Sequence, residues 1–211
     1  MGFTLPNIKN TEVIEGMLPE IFADIISALR SKDYSNFSGL RIDRRKPHTL
    51  RLFYFKDNMR ICFHIFQECS WEDAFPHPHN WWSEVFIVKG KYRHWISEFT
   101  PLDQRPNPRR GFSHILSAGS SYSIDNPYIW HRVQPLEEVM TLMVNTDTWD
   151  IKSDFSVTTQ GKELVELKDD EKREILIKFY QELSENFRDE MGIELNKIGG
   201  DQLFGDGGSL Y

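Results

Sequence analysis

Two histidines carry the first chemical signal in this sequence. His77 and His79 lie two residues apart in the stretch Phe75-Pro-His-Pro-His-Asn-Trp-Trp-Ser-Glu84-Val-Phe-Ile-Val-Lys-Gly90, so on an extended backbone both rings leave the same face. Pro76 and Pro78 favour that conformation, because a residue preceding proline is pushed out of the helical region. Two neutral imidazoles on one face begin a site for iron, zinc, copper, nickel or manganese. Five positions separate His79 from Glu84, and that odd interval sends the carboxylate to the opposite face of an unbroken strand. A turn or bulge through Asn80-Trp81-Trp82 is needed for Glu84 to join the histidines. Gly90, between Lys89 and Lys91, reads as a tight hairpin.

His-x-His, four residues, Glu, then Gly a few residues on resembles the first signature of the cupin superfamily, whose double-stranded β-helix, or jelly roll, holds one metal ion. The family's second signature supplies a further histidine on a later strand. The matching position is His131, in Gly119-Ser-Ser-Tyr-Ser-Ile-Asp-Asn-Pro127-Tyr-Ile-Trp-His131-Arg-Val; the glycine expected shortly before that histidine and the asparagine after it are missing. The resemblance spans roughly residues 49 to 150 and implies a ligand set of His77, His79, His131 and Glu84. Thiol dioxygenases, also cupins, bind iron with three histidines and no carboxylate. Glu84 is then either a ligand or a hydrogen-bond acceptor that orients a ligand ring.

Around these motifs gather Trp71, Phe75, Trp81, Trp82, Phe86, Trp95, Tyr128 and Trp130. They either line a cavity for a small organic substrate or fill a small barrel, which aromatic residues do well; Trp81 and Trp82, between the ligands, are expected to shape the pocket wall. Arg60, Cys62 and His64 alternate on one face of a strand. Pointing inward, they could anchor an anionic substrate and position a proton donor. Pointing outward, they leave Ile61, Phe63 and Ile65 as the core, which the apolar patterning favours. Tyr92 and His94 pose the same question, so the pocket candidates are Trp81, Trp82, Phe86, Trp95, Tyr92, Arg60 and His64. Arg132 faces away from the metal by strand alternation.

The elements that must position these residues change period along the chain. Residues 11 to 31 read as an amphipathic helix, with Val13, Met17, Ile21, Ile25 and Leu29 on one face and Pro19 set to kink or split it. Ser31 to Pro47 is polar and turn-rich, a linker into the barrel. From Thr49 the period is two. Leu50–Lys56 and Met59–Phe66 flank Asp57-Asn58, a hairpin pair, and the motif strand with Lys91–Phe99 suggests the next hairpin. Thr100–Gly111 is a proline-rich loop. Phe112–Leu116, Ser121–Asp125, Ile129–Val133 and Val139–Asn145 are further short strands. Closely spaced strands without intervening helices argue for a sandwich or barrel. Asp169 or Asp170 caps a helix running to about Met191, which packs on the barrel or in a homodimer interface. The glycine-rich tail, 199–211, is expected to fray; a lid over the barrel is the alternative.

These readings give a mainly β fold: a cupin jelly-roll barrel over 49–157, preceded by a helical extension and linker over 1–48, and followed by a helix and tail over 158–211 that pack on the same domain. A charged fraction of 27% and a net charge of -7 suit a globular chain and argue against nucleic acid or anionic membrane as the main partner. Cys62 and Cys69 do not make a disulfide framework. No signal peptide is evident at Met1–Lys9 and no apolar run reaches a membrane span, so a cytoplasmic setting is expected by default. No phosphate-binding glycine loop, nucleophile elbow, zinc ribbon or helix-turn-helix is present. The resemblance implies a metal-dependent enzyme of a small substrate: an Fe(II) oxygenase first, then a lyase or isomerase using Zn, Mn or Ni with Glu84 or a tyrosine as base, then a non-catalytic small-molecule binder.

Overall fold

The computed structural model describes residues 12–43, 45–79, 81–98, 111–125, 129–148 and 164–187. Helix α1 (Glu12–Ser31) is followed by strands β1 (Ser38–Ile42), β2 (Thr49–Lys56), β3 (Met59–Phe66), β4 (His77–Pro78), β5 (Trp81–Lys89), β6 (Lys91–Glu98), β7 (Phe112–Ser117), β8 (Ser121–Ile124), β9 (Ile129–Pro135), β10 (Val139–Thr148) and β11 (Val165–Glu166), then helix α2 (Asp169–Asn186). The strands form two antiparallel sheets, β11-β1-β2-β3-β10-β5-β8 and β4-β9-β6-β7. Four pairings nest inside one another: β6 with β7, β5 with β8, β4 with β9, and β3 with β10. That is one long antiparallel ribbon, folded at the β6–β7 end and wound into a barrel: the double-stranded β-helix of cupins.

Two turns set this winding. Asp57 and Asn58 both adopt positive φ (48° and 62°), as a two-residue hairpin turn requires, and they lock β2 to β3 from Lys56↔Met59 through Thr49↔Phe66. Gly90 behaves differently from the hairpin expected of it. β5 and β6 do not pair, since β5 lies between β10 and β8 and β6 between β9 and β7. With φ +80°, Gly90 instead turns the chain from the large sheet into the small one, and a side chain there would meet the Glu138 carbonyl oxygen at 2.4 Å.

The central strands of the large sheet, β3, β10 and β5, are buried on both faces. Even positions of β2, β5 and β10 and odd positions of β3 (Leu52, Tyr54, Phe86, Val88, Leu142, Val144, Ile61, Phe63) pack with Ile14, Ile21, Phe22 and Ile25 of α1 and Ile175, Leu176 and Phe179 of α2. The alternate positions Cys62, Val85, Ile87 and Met143 turn into the barrel, against Tyr92, Tyr122 and Val133. The outward reading of Arg60, Cys62 and His64 is therefore corrected: Cys62 and His64 face the barrel interior, 0% and 2% exposed, while Ile61, Phe63 and Ile65 form a second core beneath the helices. Both faces of β3 are inside because the helices cover what would otherwise be the solvent face. On the outer side of the small sheet, Trp95 and Trp130 pack with Trp71.

Three further expectations change. Ser31–Pro47 contains β1, which extends the large sheet. α1 runs unbroken through Pro19, which lies on the exposed side, where solvent can reach the Glu15 carbonyl that the ring displaces. α2 begins after Lys168, whose N–H donates to Glu171 Oε2 at 3.0 Å. Both cysteines are free and buried. The 100–110 loop, the 199–211 tail and its lid lie outside the described residues, and among the described residues no helix is long and apolar enough to cross a membrane.

Phe63 stands at the centre of the helix-side core, 4.9 Å from the Phe179 ring and 6.2 Å from that of Tyr54. Phe63→Ala is expected to lower stability by ~3–5 kcal/mol, checked by denaturant unfolding. A loss near zero would mean that α2 is not docked there.

Candidate metal centre

His77 and His131 sit directly opposite each other in the β4–β9 ladder. His79 follows two residues on, and its ring meets that of His131 at 4.6 Å between centroids. The three side chains converge through their Nε2 atoms: His131 Nε2 lies 3.1 Å from His77 Nε2 and 3.0 Å from His79 Nε2. An ion ~2.1 Å from each nitrogen, with near-right angles between the bonds, would place them ~3.0 Å apart. His79 and His131 are buried and His77 is half-buried.

Each ring is backed on its other nitrogen. His77 Nδ1 lies 3.2 Å from the Phe75 carbonyl oxygen, His79 Nδ1 lies 2.7 Å from Ser83 Oγ, and His131 Nδ1 lies 3.1 Å from His94 Nε2. With Nδ1–H donating in each case, all three Nε2 lone pairs point to one place, the tautomer a metal-ligating imidazole needs. Burial holds the rings neutral. It pulls His77 down to about 4, helped by the Arg45 charge. It also pulls His79, His131 and His94 well below the usual histidine value, with the neighbouring imidazoles adding to the effect. Three neutral donors converging on one point fit a divalent transition metal.

Glu84, expected among the ligands, is not part of this group. β5 is strand from Trp81 to Lys89, with register shifts against β10 at its two ends, and Ser83 occupies the barrel side and supports His79. Glu84 therefore falls on the helix side, where its Oε1 accepts the backbone N–H of Ile14 at 3.1 Å. Phe86 shares that side and packs on Phe187, 5.1 Å between ring centroids. Strand alternation assigns Trp82 to the same face. Trp95 lies on the outer side of the small sheet with Trp130 and Trp71. None of these three lines the cavity.

The cavity below the three histidines is bounded by Arg45, Arg51, His64, Phe75, Tyr92 and Tyr122, among others. Tyr92 and His64, two of the pocket candidates named from the sequence, are among its lining residues. Trp81 lies tilted beside His79, 6.0 Å between ring centroids, and under the Arg60 guanidinium at 4.6 Å, and neither Trp81 nor Arg60 is among the lining residues of the cavity. Sequence reasoning missed Arg51, Tyr122 and the supporting roles of Ser83 and His94. Arg51 could have been found, because the two-residue Asp57-Asn58 turn fixes the register and places Arg51 opposite His64.

No protein-family model matches this sequence, and no curated protein is similar enough to serve as a relative. Among solved structures, similarity reaches hydroxypropylphosphonic acid epoxidase from S. wedmorenis, at 10% identity and a TM-score of 0.40, over 51% of this chain and 55% of that one. The Fe(II) form of the same enzyme, HppE, gives 10% identity and a TM-score of 0.37 over 46% and 50% of the two chains. Protein NMB1881 from Neisseria meningitidis gives 10% and 0.35 over 46% and 82%. The chain thus spans about half the length of the epoxidase.

Two expectations follow from the geometry. His131→Ala should lower affinity for a divalent metal at least ~10-fold. Glu84→Ala should leave that affinity unchanged and lower stability by ~1–3 kcal/mol, because it strands the buried Ile14 N–H. Metal titration and thermal unfolding of both variants check this, and a Glu84 variant that loses metal would return the carboxylate to the ligand set. The second expectation concerns pH. The buried imidazoles have folded-state values below the unfolded ~6.5, so the unfolded chain binds protons first as pH falls. Their contribution is complete above ~6.5 and is lost on acidification, for His77 down to about 4. Unfolding of the metal-free protein between pH ~7 and ~5 should show a steady fall in stability; a flat profile would contradict neutral buried rings.

Proposed function

We propose that this protein is a metal-dependent cupin enzyme, and that its reaction is oxygenation of a small organic substrate at Fe(II). The observation that carries the reading is the convergence of His77, His79 and His131 through Nε2, each with its Nδ1 backed by an acceptor. With Glu84 on the far side of the sheet, the donor set accords with the three-histidine pattern of thiol dioxygenases rather than with a carboxylate-containing one. Bound there, a ferrous ion would supply Lewis acidity, one-electron chemistry with dioxygen and open positions for small ligands. The chain does the rest: Ser83, His94 and the Phe75 carbonyl hold the rings in place, and Phe75, Val85, Val133 and Met143 line the space around the reacting groups with apolar surface that disfavours water.

The groups available for proton transfer favour oxygenation over lyase or isomerase chemistry. Those reactions need a base poised near neutrality. Among the described lining residues, burial raises the Tyr92 and Tyr122 hydroxyls above the ordinary tyrosine value. Burial, with Arg51 beside it, pushes His64 far below the ordinary histidine value. Among the described lining residues, these three side chains are shifted away from the range a base near pH 7 needs.

The test is to purify the protein without chelators, assay its native metal, then load Fe(II) anaerobically. Thiols, catechols, amino acids and 2-oxo acids are added while dissolved oxygen is followed. Substrate-dependent oxygen uptake with Fe and none with Zn is the expected result. Turnover that persists under argon, or with Zn or Mn, would replace oxygenation by lyase or isomerase chemistry.

A further inference from the structure

We propose that His114, on β7, is a positioning residue for the metal centre, acting on His131 through His94 and one buried water. The proposal rests on the metal-dependent reading above and adds a distant link to its ligand set. His131, His94 and His114 stand in steps across the small sheet. His114 lies directly opposite His94 in the β6–β7 ladder. His94 in turn lies opposite Val133, two residues beyond His131 on the same face of β9. The His94 ring is fully buried and packs on Tyr122, 4.3 Å between ring centroids.

The proton positions along this line follow from its metal end. A His131 that ligates through Nε2 carries its proton on Nδ1 and donates it to His94 Nε2 at 3.1 Å. His94 Nε2 is then the acceptor, so the His94 proton sits on Nδ1. That nitrogen is buried and has no hydrogen-bond partner among the described residues, and the same holds for His114 Nδ1. The two rings meet edge to face, with centroids 5.3 Å apart. A buried N–H without an acceptor is costly, and two bare nitrogens on adjacent rings are the polar lining that a buried water needs. A water between them accepts from His94 Nδ1–H and donates to His114 Nδ1, which puts the His114 proton on Nε2. Each link sets the next. With no acceptor beyond it, His94 loses its preference for the Nδ1–H form. The other form sets its Nε2–H against the His131 N–H, and the mismatch falls on the ligand ring.

The test uses the full-length protein loaded with Zn(II), in which proton–nitrogen NMR couplings of the imidazoles report the protonated nitrogen of each histidine. His131 and His94 are expected as Nδ1–H and His114 as Nε2–H. A His114 protonated at Nδ1, or a His94 protonated at Nε2, overturns the proposal. Co(II) affinity and absorption are then compared among variants. His114→Leu is expected to weaken Co(II) binding about 3–10-fold and to shift its absorption bands. His114→Asn, whose amide oxygen takes the place of the Nδ1 acceptor, is expected to recover most of the loss. In a His94→Gln background, which keeps an acceptor for His131 but no N–H towards β7, His114→Leu is expected to have no further effect. Equal affinity of wild type and His114→Leu, no recovery with Asn, or additive losses in the His94→Gln background overturns the proposal. If a variant does not fold, the wild-type tautomers decide. A protein that takes up neither Zn(II) nor Co(II) sinks the metal reading and this proposal with it. Metal uptake with the wrong His94 or His114 tautomer sinks this proposal alone.

Discussion

The register that sets His77 against His131 across β4 and β9 is the constraint on which the site depends. Slipped by one residue, β4 would turn His77 and His79 together out of the barrel and leave His131 opposite a proline. What holds the register is not local, because β4 is two residues long. It is the nested winding of the ribbon, with β3–β10 outside, then β4–β9 and β5–β8, and β6–β7 at the fold. The barrel is thus the device that turns a two-residue strand into a well-placed pair of ligands.

The helices matter to the site through the other face of the same strands. α1 and α2 cover the large sheet, so successive residues of β3 and β5 belong to different interiors: Ile61 and Phe63 to one, Cys62 and His64 to the other. Glu84 and Ser83 are neighbours with separate duties. One receives the Ile14 N–H of the helix, and the other supports a ligand ring. Packing density on the helix side stiffens the sheet that carries Arg51, His64 and Val85.

The fold was legible in the sequence because its signals are local. Period-two runs mark most of the strands, Asp57-Asn58 marks the first hairpin, and the spaced apolar residues of 11–31 mark the helix that the structure shows as α1. The convergence of His77, His79 and His131 followed from motif order. What was not legible depends on which layer covers a strand face. β3 has apolar residues on one side and mixed residues on the other, a pattern equally suited to a surface strand. Only the docking of α1 and α2 shows that Cys62 and His64 turn toward the barrel. Glu84 is the instructive case: its odd distance from His79 already opposed ligation, and the motif's familiar carboxylate outweighed that parity. Gly90 misled for a related reason, since one positive-φ glycine serves a hairpin and a sheet-to-sheet turn equally well.

The brevity of β4 has a consequence for exchange kinetics. Pro78 lacks an N–H, so the ladder at His77–Pro78 contributes few hydrogen bonds, whereas β9 is also held by β6 along its whole length. The two histidines of the first motif therefore sit on and beside a strand with few ladder hydrogen bonds, and the third sits on a strand paired along its whole length. Fraying of β4 would carry His77 and His79 away together while His131 stays in place. An ion held by this trio would leave and re-enter through that local opening, at a rate set by a few backbone contacts and largely independent of the global stability of the barrel.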